Sequence, residues 1–142
     1  MFGAHKSTLD AKGRMNIPIK LREELGETFY LAKNIGTRCI RVYSEAEWNA
    51  LMVSLDNLPA VKSQTIRRYL VGCADELTAD KQGRVSVNND LIAYAGLTTD
   101  VMVVGMGKPG MAEIWDKAAW TEFNESLDTE EEVRRVAEEL GL

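Results

Sequence analysis

Histidine occurs once in this chain, at His5, and cysteine twice, at Cys39 and Cys73, without C-x-x-C spacing. A structural zinc site or a disulfide framework therefore lacks its ligands or its cysteines. Arrangements of the Ser/His/Asp or Cys/His kind could be built only around His5, which has no nucleophile motif beside it. No G-x-x-x-x-G-K-[ST] phosphate loop is present, and Gly105, Gly107 and Gly110 lack the strand-to-helix setting of a dinucleotide fingerprint. They read as a glycine-rich hairpin turn. No apolar run approaches the roughly 18 residues that a membrane span needs. The segment MFGAHKSTLD turns polar too early to hold the apolar stretch of a secretory signal. These absences predict a cytoplasmic protein with no metal, cofactor or catalytic residue.

What is there is an ordinary globular mixture: 45% hydrophobic and 27% charged residues, with a net charge of -5 over 142 residues. That length suits one domain, or two very small ones sharing a core. Residues 8–26, TLDAKGRMNIPIKLREELG, align without a gap on residues 78–96, TADKQGRVSVNNDLIAYAG. Thr8, Asp10, Gly13, Arg14, Leu21 and Gly26 recur as Thr78, Asp80, Gly83, Arg84, Leu91 and Gly96. IRVYSEAEW, residues 40–48, returns as AEIWDKAAW, residues 112–120, after two inserted residues. A unit of about forty residues seldom buries enough apolar surface alone, so the copies are expected to complete one another's core.

Within the first copy, Lys6 to Leu9 and Arg14 to Ile17 flank the turn Asp10-Ala11-Lys12-Gly13 and predict a hairpin. Pro18 suits the first turn of a short helix ending at Gly26. Strands are expected at Phe29 to Lys33 and Cys39 to Tyr43, joined through Asn34-Ile35-Gly36-Thr37. Ser44 and, in the second copy, Asp116 are predicted caps of helices carrying Trp48, Leu51, Met52 and Leu55, and Trp120 and Phe123. SQTIRRYLVG, residues 63–72, reads as a further amphipathic helix, and Thr129 opens a capping-box pattern for a helix reaching about Leu140. The chain thus divides into a first repeat over 5–48, connecting helices over 49–73, a second repeat over 74–120 and an acidic helical tail over 121–142.

An Asp opening a tight turn accepts backbone N–H groups, and an Arg after the Gly can pair with it. By itself such a pair stabilises a hairpin. The surrounding charges add more. His5 and Lys6 correspond to Asp75 and Glu76, Lys12 to Gln82, Lys20 to Asp90, and Arg22 to Ile92, so the first copy is basic where the second is acidic. Residues 1–41 carry eight bases and four acids, leaving -9 on the remainder. A local positive face on an acidic protein is the footprint of phosphate binding, and a two-stranded ribbon fits the DNA major groove.

The duplicated D-x-x-G-R turn, MFGAHKSTLDAKGRMNIPIKLREELG and ADELTADKQGRVSV closely resemble the MraZ family, bacterial transcriptional regulators encoded at the head of the division and cell wall gene cluster. The likeness covers essentially the whole chain. It implies a mainly β, α+β fold: a duplicated AbrB-like swapped-hairpin β-barrel whose two repeats form a pseudo-dimer. It also implies a nucleoid-associated ring homo-oligomer that binds short direct repeats in double-stranded promoter DNA and represses the cluster, its own promoter included. Carried onto this chain, the DNA-contacting arginine falls on Arg14, with Asp10 orienting it. His5, Lys6 and Lys12 fall in the same basic region. Arg14 is the candidate for guanine readout, and Lys6, Lys12, Lys20 and Arg22 for phosphate contacts. Asn88 stands where the family commonly keeps a proline, and can cap the helix instead. Asp75, Glu76 and Asp90 argue against DNA readout by the second hairpin, so Asp80, Gly83 and Arg84 are assigned a structural or inter-subunit role.

Other readings remain open. The regulator could be an activator, or the chain could be a swapped-hairpin interaction module such as an antitoxin. An enzyme using Glu45 or Glu47 is disfavoured, because acids are expected in the first turn of a helix.

Overall fold

The computed structural model describes residues 1–142. Eight strands and six helices follow one another as β1 (Ala4–Thr8), β2 (Arg14–Asn16), α1 (Ile19–Leu25), β3 (Phe29–Lys33), β4 (Ile40–Ser44), α2 (Glu45–Asp56), α3 (Ala60–Leu70), β5 (Asp75–Leu77), β6 (Arg84–Ser86), α4 (Asn89–Ala95), β7 (Asp100–Gly105), β8 (Met111–Asp116), α5 (Lys117–Leu127) and α6 (Glu131–Glu139). The fold is mixed α+β and antiparallel. Six strands form one sheet in the order β1-β7-β8-β4-β3-β5, and β2 pairs with β6 in a separate two-stranded ribbon. The sheet is open, with β1 and β5 at its edges, so the expected closed barrel is not formed.

The expected hairpin within each copy is also opened out. Asp10 N still donates to Arg14 O at 2.9 Å, but Leu9 N turns away to Thr99 O at 2.8 Å. From there β1 runs along β7 of the second copy, while β2 passes to the other layer and pairs with β6. In the second copy β5 likewise joins β3 of the first. The registers are symmetric: Arg14 faces Ser86 and Asn16 faces Arg84 about the Met15–Val85 pair, while Ile40 faces Ile114 and Val42 faces Ala112 about Arg41–Glu113. Strand alternation explains the division into layers. Met15, Ile17, Val85 and Val87 point inward and meet Leu31, Ile40, Val42, Val101, Val103 and Ile114 from the sheet, with Leu21 of α1 and Leu91 of α4 fully buried between them. Burying a leucine of this kind contributes roughly 2 kcal/mol.

The opposite face of the sheet is covered by helices. Trp48 of α2 stacks on Tyr30 with ring centroids 4.9 Å apart and meets Tyr43 edge-on at 5.4 Å. Trp115 packs against Trp120 and Phe123 of α5. These aromatics belong to the interior packing of the chain. Local signals behave as expected: Ser44 Oγ accepts from Glu47 N at 3.2 Å, Asn88 Oδ1 from Leu91 N at 2.8 Å and Asp116 Oδ2 from Ala119 N at 3.3 Å. The tail helix differs by one residue. Thr129 Oγ1 donates back to Ser126 O, and Glu130 caps α6 by accepting from Glu132 N at 3.3 Å.

Candidate nucleic-acid interface

The two D-x-x-G-R turns have the same geometry. Asp10 Oδ1 accepts from the backbone of Lys12 and Arg14, both at 2.9 Å, and Oδ2 accepts from Arg14 Nε at 3.0 Å. Asp80 Oδ1 accepts from Gln82 N at 2.8 Å and Arg84 N at 2.9 Å, and Oδ2 from Arg84 Nε at 3.0 Å. Gly13 and Gly83 reverse the chain at φ 77° and 80°, a conformation side chains disfavour. The turns are locked to one another across the ribbon, since Ile17 N donates to Gly83 O and Val87 N to Gly13 O. The Arg14 backbone N–H, followed by its guanidinium, holds the Asp10 carboxyl below its ordinary range, and Arg84 does the same to Asp80. Each carboxylate therefore stays ionised and keeps its arginine pinned through Nε. The terminal amino groups of Arg14 and Arg84 make no protein hydrogen bond and remain free to donate.

Alternation along β2 and β6 decides where these side chains point. Met15 and Val85 are buried, so Arg14, Asn16, Arg84 and Ser86 share the opposite, solvent-facing side of the ribbon. Arg14 and Arg84 are diagonal neighbours there, with backbones roughly 7–8 Å apart. This relation was hidden in the sequence, where the two arginines stand in different repeats. Its signal is the shared pattern Arg14-Met15-Asn16 and Arg84-Val85-Ser86, which has meaning only once the strands are known to pair.

The structure divides the other predicted residues. His5 and Lys6 lie on exposed edge strand β1, with His5 Nε2 hydrogen-bonded to Phe2 O at 2.8 Å, and Ser7 Oγ donates to Asn16 O at 2.9 Å, tying that strand to β2. His5 and Lys6 line a shallow depression that continues over Asn16, Arg22 and Gln82. Arg22 does not join the first turn. It crosses to the second, where a Cβ on Gly83 would stand 2.5 Å from its guanidinium carbon. Its counterpart Ile92 approaches Gly13 instead, within 3.3 Å of the same construction. Lys12 lies at the exposed tip of the first turn, and Lys20 lies on the exposed side of α1, where its charge helps to lower the Glu24 carboxyl. The second turn thus gains a cation from the first copy, a contact that residue counts within each copy did not reveal.

A family model described as "MraZ protein, putative antitoxin-like" matches residues 1–68 and again 70–140, one match to each copy of the repeat. The chain belongs to the MraZ family. Curated members named Transcriptional regulator MraZ resemble it along their length. The Thermoanaerobacter sp. (strain X514) protein is 36% identical over 100% of this chain and 99% of its own length. That of Clostridium acetobutylicum is 37% identical over 99% of both chains, and that of Arthrobacter sp. (strain FB24) 42% identical over 90% of this chain and 89% of its own. MraZ proteins so named form a class of regulators and not of enzymes, and no helix of this chain is long and apolar enough to cross a membrane.

Proposed function

We propose that this chain is a sequence-specific DNA-binding transcriptional regulator that inserts the β2–β6 ribbon into the major groove. The observation that carries the reading is the pair of Asp-anchored arginines, Arg14 and Arg84, on one solvent-facing side of a two-stranded ribbon. A groove about 12 Å wide admits such a ribbon, and a guanidinium fixed through Nε presents its terminal donors to the O6 and N7 edge of guanine. Arg14 is the principal reader and Asp10 its positioning residue. Arg84, assigned from sequence to a structural or inter-subunit role, becomes a second reader, since pairing brings it onto the same face. Lys6, Lys12, Lys20 and Arg22 contact backbone phosphates, with His5 beside them, and set affinity without sequence choice.

In this reading the protein sits on short direct repeats of promoter DNA upstream of the division and cell wall genes, its own promoter among them, and represses by occlusion. One ribbon offers few contacts, so a ring of subunits that meets several repeats at once raises affinity through effective concentration. The cross-copy pairings of β1 with β7, β5 with β3 and β2 with β6 support a duplicated swapped-hairpin description, with each chain a pseudo-dimer. The protein works in the cytoplasm, on the nucleoid.

A mobility-shift titration tests this, with wild type, Arg14→Ala and Arg84→Ala on DNA from upstream of the protein's own gene and scrambled DNA as competitor. Arg14→Ala is expected to lose about 1–3 kcal/mol of discrimination, roughly 5- to 150-fold, with a smaller change on scrambled DNA. Equal losses on both DNAs would remove the readout role. Affinity should also fall steeply with salt, with a log-log slope of about -0.9 per phosphate neutralised. No shift at low salt would leave the interaction-module reading.

A further inference from the structure

Arg14, Arg41, Arg67, Arg84, Arg134 and Arg135 each pair with a carboxylate of the chain, and Arg22 does not. Its Nε is buried and donates to nothing in the chain. A buried donor without an acceptor destabilises the fold, so a guanidinium kept in that state points to an acceptor brought by a ligand. The group closes over Gly83 and, with His5, Lys6, Asn16 and Gln82, lines a depression of about 500 Å³. Ser7 Oγ, donating to Asn16 O at 2.9 Å, ties the wall that carries His5 and Lys6 to the ribbon. Three elements of the first copy thus meet the tip of the second turn.

The place related to it by the repeat is of opposite character. There Asp75, Glu76, Ser86 and Ile92 stand for His5, Lys6, Asn16 and Arg22, and Lys12 stands for Gln82. Ile92 packs over Gly13 where Arg22 covers Gly83. Asp75 Oδ2 accepts from Asn88 Nδ2 at 2.9 Å and Glu76 Oε2 from Tyr30 Oη at 3.4 Å, so both carboxyls are held on that side by their own partners. One end of the ribbon therefore carries Lys6 and Arg22 beside a neutral tip, and the other a lone lysine with two acids. Phosphates run along both edges of a major groove that holds a ribbon, and a planar guanidinium donates to a pair of phosphate oxygens. Asn16, facing Arg84 on the reading side, lies at the basic end.

We propose that the depression beside the second turn seats one DNA backbone phosphate on Arg22, and that the acidic character of the matching place beside the first turn fixes the direction in which the ribbon lies along the groove. This rests on the DNA reading above and adds a polarity to it. A ribbon with two like arginines about a dyad fits its site in either direction; a phosphate seat at one end only admits one.

The test uses full-length protein and the shortest duplex that wild type protects within the DNA upstream of its own gene, with single phosphates replaced in turn by uncharged methylphosphonates. Wild type should lose at least about tenfold in affinity at one phosphate beside the second turn. Arg22→Ile, which copies the residue that packs over Gly13, should bind unmodified DNA about tenfold more weakly, become insensitive to that one replacement and keep its response to the others, while Arg22→Lys should keep part of the sensitivity. Direction is read with Cys73→Ser protein carrying an iron chelate at Ala11→Cys or Lys81→Cys, on the exposed tips of the two turns. Each should cut one flank of the site, on opposite sides, and the Arg22-dependent phosphate should lie on the Lys81 flank. An unchanged methylphosphonate profile in Arg22→Ile, in protein that unfolds at the wild-type temperature and still prefers its own DNA, would overturn the seat alone. Equal cutting of both flanks from each tip would overturn the polarity, and no preference of wild type for its own DNA would overturn the DNA reading together with both.

Discussion

Arg41 and Glu113 face each other at the centre of the sheet, joined by a hydrogen bond of 3.3 Å from Arg41 Nη2 to Glu113 Oε2, and the pairing register of β4 with β8 is symmetric about them. The residue pair on the symmetry axis is thus the only one of that ladder in which the two copies differ in charge. Glu113 Oε1 also accepts from Trp115 Nε1 at 3.0 Å, while Arg41 Nε is buried without a partner. Glu113→Ala should cost about 2 kcal/mol, since it strands both the guanidinium and the indole N–H. Arg41→Met with Glu113→Met should cost less than the two single changes added together, as measured by urea unfolding.

The acidic limb of stability should follow the anchored carboxylates. Asp10 and Asp80 are held below the ordinary Asp value of 3.8 by their arginines, and Glu24 below its ordinary 4.5 by the hydrogen bond from the Met1 amino group at 2.8 Å. A carboxyl whose pKa is lower in the folded state than in the unfolded state contributes stability above its unfolded pKa. That contribution is lost as pH falls through the folded value. Unfolding free energy should therefore be level through neutrality and decline below about pH 4.5, and Asp10→Asn with Asp80→Asn should flatten the decline. A decline unchanged by that double substitution would count against the anchoring role.

Gly105 and Gly72 should respond in opposite directions to alanine. A Cβ on Gly105 would collide with Met1 O, a backbone atom that no side-chain rotation can move, so the first residues must leave the edge of β7. Gly105→Ala should destabilise by about 2 kcal/mol. At Gly72 nothing lies within 4 Å and φ is ordinary, so alanine should stabilise by about 0.4–1 kcal/mol by restricting the unfolded chain. Thermal unfolding of the two variants distinguishes them.

The two cysteines should differ in reactivity. Cys39 is wholly inaccessible, and burial pushes its thiol up to about 12, whereas Cys73 is partly exposed. A thiol reagent at pH 8 should modify one cysteine per chain in the native protein and two in urea. Cys73→Ser should abolish the native reaction.

Local features were legible wherever a residue acts within its own turn. Ser44, Asn88 and Asp116 cap helices as expected because an N-cap needs only a side-chain oxygen and the next few amides. The span Phe29–Lys33 and the Asp10–Arg14 contact were legible for the same reason. Thr129 does not cap α6, because its hydroxyl bonds back to Ser126 O at the end of α5. The first hairpin is not formed although its turn is, because the strands on either side of it diverge to partners about seventy to one hundred residues away.

The duplication, the family, the caps Ser44, Asn88 and Asp116 and the Asp-x-x-Gly-Arg turns can be read from the order of amino acids, because residue identity at short range carries each of them. That β2 pairs with β6, that Arg84 shares a face with Arg14 and that Arg22 crosses to Gly83 emerges only in the folded chain. The reason is physical. A repeat this small cannot close its own core, so each copy lends strands to the other. Which side chains become neighbours is then set by strand register between distant segments, which no local pattern encodes.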